Sequence, residues 1–66
     1  MIERIINNKV YFEMNDGHLF QKVDSNEVIK LLNNNIEVYL IHNDSTESLV
    51  SIKDNINETY NYGIEI

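Results

Sequence analysis

The 66-residue chain carries 11 Asp and Glu against 5 Lys and Arg, a net charge of −6. That sign opposes direct contact with nucleic-acid phosphates. The absence of cysteine excludes disulfides and thiolate metal cages, and no apolar run nears the ~20 residues that span a bilayer.

A chain this short buries only about 60% of the surface it exposes when unfolded. Its core is expected to supply no more than about 3–5 kcal/mol net. One domain over residues 1–66 is expected. Met1-Ile2-Glu3-Arg4 lacks a basic start followed by an apolar run, so no signal peptide is expected and a cytoplasmic location is.

Asparagine supplies the punctuation. Asn7-Asn8, Asn15-Asp16-Gly17, Asn33-Asn34-Asn35 and Asn43-Asp44 read as turns or a helix end, because asparagine tolerates left-handed backbone. Ile2–Ile6 reads as a strand, and Val10–Met14 as a second. Asp16-Gly17 then signals a two-residue hairpin, a register that pairs Met14 with Leu19 and Val10 with Val23. Those four share one face with Phe12; Tyr11, Glu13, Phe20 and Lys22 take the other. Asp24 to Glu27 matches a capping box with aspartate in the capping position. Val28, Leu31 and Leu32 recur at helical spacing before the three asparagines stop the helix.

Ile36–His42 is rich in β-branched and aromatic residues and reads as a central strand, with Glu47–Ser51 returning beside it. A four-residue loop, Asn43–Thr46, sets His42 opposite Glu47 and Leu40 opposite Leu49. Ser51 to Asp54 restarts a helical signal, with Ile52, Ile56 and Tyr60 on one stripe. Gly63–Ile66 reads as a short edge strand. The expected fold class is α+β: a small antiparallel sheet with a ββαββ core, one short helix packed on it, and a C-terminal helical turn and strand. The expected core is Val10, Phe12, Met14, Leu19, Val28, Leu31, Leu32, Val38, Leu40 and Leu49.

The stretch "HNDSTES", residues 42–48, gathers one histidine, two carboxylates and three hydroxyls. A hydrolytic site needs a nucleophile, a base, a group orienting that base and an oxyanion hole. A type I turn wants Asn, Asp and Ser regardless of chemistry, and the turn is the reading adopted. His18 and His42 lack metal-ligand spacing. Asp44, Glu47, Asp54 and Glu58 lack the alternation and glycine of a calcium loop. Asn43-Asp44-Ser45 and Asn57-Glu58-Thr59 fit the glycosylation pattern, read as coincidence in an asparagine-rich chain. No catalytic residue, metal or cofactor is assigned, and the chain is not expected to be an enzyme.

Charge is uneven along the chain. Residues 1–35 carry five acids against four bases, and residues 36–66 carry six acids against Lys53 alone. Tyr11, Phe20, Tyr39, Tyr60 and Tyr62 are either core or anchors for a partner.

Residues 38–66 resemble small proteins of Gram-positive phages and conjugative elements. The shared pattern runs Asp-Gly-Thr-Glu-(Ala/Ser)-Leu-Val, then an Ile-containing acidic turn, then aromatic-Gly-Ile-Glu. Asp44, Thr46, Glu47, Leu49 and Val50 match its first part, and Tyr62, Gly63, Ile64 and Glu65 its last. Ser45 stands where the pattern has glycine. The resemblance implies a mobile-element origin and carries no known activity with it.

The expected function is therefore a small acidic interaction module, an accessory or inhibitor protein that occupies a basic, nucleic-acid-binding surface of a host protein. The candidate contact residues are Glu37, Tyr39, Asp44, Glu47, Asp54, Glu58, Tyr60 and Tyr62. Neither direct nucleic-acid binding nor membrane association is expected. The alternative is a structural or regulatory homo-oligomer, at its simplest a homodimer.

Overall fold

A computed structural model describes residues 1–66. The fold is α+β: one six-stranded antiparallel sheet and one short helix. The strands are β1 (Ile2–Ile6), β2 (Lys9–Glu13), β3 (Leu19–Val23), β4 (Tyr39–Ile41), β5 (Glu47–Leu49) and β6 (Asn61–Glu65). Their spatial order is β1-β2-β3-β6-β4-β5. A 3₁₀ turn, Ser25–Glu27, leads into α1 (Val28–Asn33).

Asparagine closes the first hairpin. Asn7 and Asn8 both have positive φ, 51° and 66°, the pair of values a type I′ turn requires. The second hairpin departs from the expected register. Met14 N–H donates to His18 O and Gly17 N–H to Met14 O, so the loop is three residues, Asn15-Asp16-Gly17. Gly17 alone carries positive φ, +92°, the arrangement of a type I turn closed by a bulge. The extra loop residue slips the register by one, which exchanges the faces of β3 relative to β2. Phe12 therefore lies opposite Phe20, and Phe20 is buried where an outward position was expected.

The β4–β5 hairpin repeats this path. Ser45 N–H donates to His42 O, His42 N–H donates to Thr46 O, and Ser45 sits at φ +69°. Its loop is thus Asn43-Asp44-Ser45, three residues and not four. Ile41 pairs with Glu47 and Tyr39 with Leu49, so the expected pairings of His42 with Glu47 and Leu40 with Leu49 do not form.

The expected capping box is absent, since Asp24 makes no side-chain cap bond and the chain enters α1 through the 3₁₀ turn. The asparagine stop is present. Ile36 N–H donates to Leu31 O, Asn35 N–H to Leu32 O, and Asn35 has φ +62°; this is a Schellman ending with asparagine in the left-handed position. Residues 36–38 are not strand, so β4 is shorter than expected. Nor is Ser51–Asp54 a helix. Asp54 Oδ2 accepts the Ser51 N–H at 2.8 Å and Asp54 N–H donates to Ser51 O, so the serine and aspartate lock a turn.

The C-terminal strand is the largest correction. β6 is not an edge but lies between β3 and β4, paired to both. Gly63 permits this, because a Cβ there would fall 2.9 Å from Phe20 Cβ and 3.2 Å from Gln21 O.

Apolar clusters cover both faces. Phe12, Met14, Phe20 and Ile41 form one, with Met1 and Tyr39 against it. Val28, Val38, Val50 and Tyr62 form the other, flanked by Leu31, Leu32, Leu40 and Ile64. Of the expected core, Phe12, Met14, Val28 and Val38 are buried; Val10, Leu19, Leu31, Leu32 and Leu40 are half-buried; Leu49 is 57% exposed. Ile41, Val50 and Tyr62 join the core instead.

Candidate functional site

Parity along the strands places one group of acids together. Tyr39 on β4 pairs with Gly63 on β6 and Leu49 on β5. With no side chain at Gly63, the Phe20 and Tyr39 rings meet edge to face, centroids 5.3 Å apart. Glu65 stands two residues beyond Gly63 on that same face, Glu47 opens β5 opposite Ile41 and diagonal to Tyr39, and Glu37 precedes Tyr39 by two residues. The Tyr39 phenol is raised above its ordinary value, first by burial and then by the charges of Glu37, Glu65 and Glu47. Three carboxylates from three segments thus surround one half-buried tyrosine.

No lysine or arginine offsets them. The four ion pairs of the molecule are Arg4–Glu13 at 2.8 Å, Lys22–Glu3 at 4.0 Å, and His18 with Asp16 at 3.8 Å and with Glu65 at 3.4 Å. Lys22 also lies 5.9 Å from the centre of the Phe12 ring. Arg4 and Lys22 are therefore engaged within β1–β3, and of the basic groups only His18, when protonated, forms an ion pair with one of these three acids.

The remaining candidates are dispersed. Asp44 belongs to the β4–β5 turn, where the Thr46 hydroxyl and N–H both donate to Oδ1 and hold its carboxyl below the usual range. Asp54 closes its own turn. Glu58 is exposed beside Lys22, Asp24 and Asn61. Tyr60 is 52% exposed. Tyr62 is a correction: it is 2% exposed, and its hydroxyl accepts the Asn57 N–H at 3.1 Å, so it belongs to the core and offers no surface.

His42 Nε2 lies 2.8 Å from Ser48 Oγ. A serine nucleophile works with a base that a further group orients. His42 has no such third hydrogen bond, and the pair is a cross-strand contact on the face of Leu40. No group of three or more His, Asp or Glu is placed to hold a metal ion. No helix is long and apolar enough to cross a membrane.

Sequence reasoning missed Glu65. Its signal was the alternation Gly63, Glu65, which becomes informative once β6 is an interior strand. No family model, no curated protein and no solved structure matches the chain. Fold and site together define a small α+β domain with an acidic patch centred on a tyrosine.

Proposed function

We propose that the chain is a protein-interaction module, not an enzyme, and that it binds a basic surface of a protein partner through the patch around Tyr39. The observation that carries this reading is the placing of Glu37, Glu47 and Glu65 around one half-buried aromatic ring with no ion pair from any of them to lysine or arginine. Carboxylates gathered on one face complement basic residues of a partner, and the tyrosine supplies an anchor of large contact area. The partner surface is one that otherwise meets nucleic acid, which makes the chain an accessory or inhibitory factor of a phage or mobile element acting in the cytoplasm. Binding uses no cofactor.

The test is capture of a partner from host lysate, followed by titration of that partner with variants. Neutralising Glu37, Glu47 and Glu65 together to glutamine weakens binding at least tenfold and flattens its salt dependence. Neutralising Asp54 and Glu58 has a smaller effect. Equal binding at low and high salt overturns the reading.

A second reading has its own observation. All five residues of β1 are exposed, Ile5 at 75%, and its outer edge is unpaired. Pairing of that edge between copies gives a homodimer. Light scattering at high micromolar concentration decides it, and a monomer removes it.

A further inference from the structure

The sheet ends in two strands whose outer main chain is free, and the surroundings of the two edges differ. Along β5 the bonds from His42 N–H to Thr46 O and from Val50 N–H to Val38 O frame the ladder to β4. Antiparallel ladder bonds fall on alternate residues. Ser48 therefore faces β4, while Glu47 and Leu49 direct their N–H and C=O groups outward. β5 carries no lysine or proline to guard that edge.

We propose that the outer edge of β5 docks an extended basic segment of a partner protein, read in the order basic–apolar–basic. This rests on the acidic-patch reading above and adds the conformation and side-chain order of the segment bound. An added strand alternates its side chains between the two faces of the sheet. The residue opposite Ser48 lies over a groove of about 260 Å³ whose walls include Leu40, Val50, Ile56 and Tyr60. The residues on either side fall on the opposite face, against Glu47 and Leu49. There a lysine or arginine reaches the carboxylate and lays its aliphatic stem on the exposed leucine.

Charge selects this occupant over a second copy. Residues 36–66 carry six acids and one base, so two such edges repel each other. It also selects β5 over β1, whose half of the chain is nearly neutral and whose Arg4 already pairs with Glu13. β5 is only three residues long, so backbone pairing alone is weak and the groove and carboxylates decide the affinity.

The order can be tested with nine-residue peptides alternating lysine and valine. In the proposed register the lysines lie opposite Glu47 and Leu49, so the lysine N–H groups make the pairing bonds. Methylating the backbone nitrogens of the lysines should weaken binding at least tenfold, whereas methylating those of the valines leaves it within about twofold. Amide shifts on titration should centre on residues 47–50. Leu49→Pro removes an outward N–H and no ladder bond, and should lower affinity about tenfold; if that variant does not fold, the methylated peptides give the same information. If both methylated peptides bind as tightly as the parent, with shifts around Glu37, Glu47 and Glu65, the docking edge is overturned and the acidic patch stands. If shifts centre on β1, the docking edge is likewise overturned. If no peptide binds at low salt, both readings fall.

Discussion

In the middle of the sheet, β3, β6 and β4 bury side chains on both faces, with Phe20 and Ile41 on one and Tyr62 on the other. At the rims the same sheet leaves all five residues of β1 exposed, and two of the three in β5. A chain of 66 residues cannot cover every strand, so it concentrates burial where both faces have something to pack against. The rims are left with free main chain and separate characters: β1 apolar and nearly neutral, β5 acidic. Burial and free main chain thereby fall on different strands, and substitutions at the rims should leave the buried centre intact.

The largest effects should come from the centre. Phe12→Ala or Phe20→Ala should cost about 3–5 kcal/mol, comparable to the whole stability expected of so small a domain. Ile5→Ala on β1 should change stability by no more than about 0.5 kcal/mol. Urea denaturation of the variants measures both. If Ile5→Ala proves as damaging as Phe12→Ala, β1 is covered in solution, and the homodimer becomes the better account of that rim.

Gly63→Ala sharpens the contrast within a single pair. A methyl at Gly63 meets Phe20 Cβ at 2.9 Å, and the backbone oxygen of Gln21 blocks its retreat. Overpacking of this kind costs about 1–3 kcal/mol. Truncating Leu49, the cross-strand partner of Tyr39 on the other side, should be nearly neutral because that side chain is already in water. The same denaturation series compares them.

The two three-residue turns give the next smaller effect. Gly17→Ala places a side chain at φ +92° with nothing within 4 Å of it, so only backbone strain of about 1–2 kcal/mol is added. Ser45 already tolerates φ +69°. Its hydroxyl accepts the Asn15 N–H at 2.8 Å, tying the tip of one hairpin to the other. Ser45→Gly relieves strain and loses a bond worth about 1 kcal/mol, so its net effect should be close to zero. Thermal unfolding of the two variants separates the cases.

These turns also explain what could be read from residues alone. Asn15-Asp16-Gly17 marks a hairpin, but Asp-Gly serves both a two-residue turn and a type I turn with a bulge. The first points Phe20 outward, whereas the second, which the structure adopts, buries it. The strands of the first meander, the asparagine stop of α1, and Phe12, Met14, Val28 and Val38 were accessible because they depend on local pattern. The place of β6 was not, since inserting the last strand between β3 and β4 is a long-range event whose one local trace is a glycine. Single-face alternation also misleads in a sheet packed on both sides, which is why Leu40 and Ile41 are adjacent and both contribute. Of the proposed contact residues, Tyr39 and Glu47 are brought together by the pairing of β4 with β5, with Glu37 just ahead of β4; Glu65 escapes notice for the same reason as β6, and Tyr62 is drawn into the core.

The smallest effect tests the acidic patch most directly. Burial and the carboxylates of Glu37, Glu65 and Glu47 raise the Tyr39 phenol above its ordinary 10.0. A group whose folded value is raised adds stability that is fully present below the unfolded value and lost as pH rises through the folded one. Resistance to urea should therefore be unaffected by Tyr39 up to about pH 9 and decline above pH 10, where the unfolded chain releases the phenol proton first. Ultraviolet titration should show Tyr39 ionising later than a free phenol. Glu37→Gln should bring that step back toward the ordinary value while leaving the fold intact, since an exposed carboxylate contributes little to stability. A Tyr39→Phe variant identifies the step by removing it. If the late step persists unchanged in Glu37→Gln, the carboxylates do not act together on Tyr39, and the acidic patch loses the geometry on which its binding role depends.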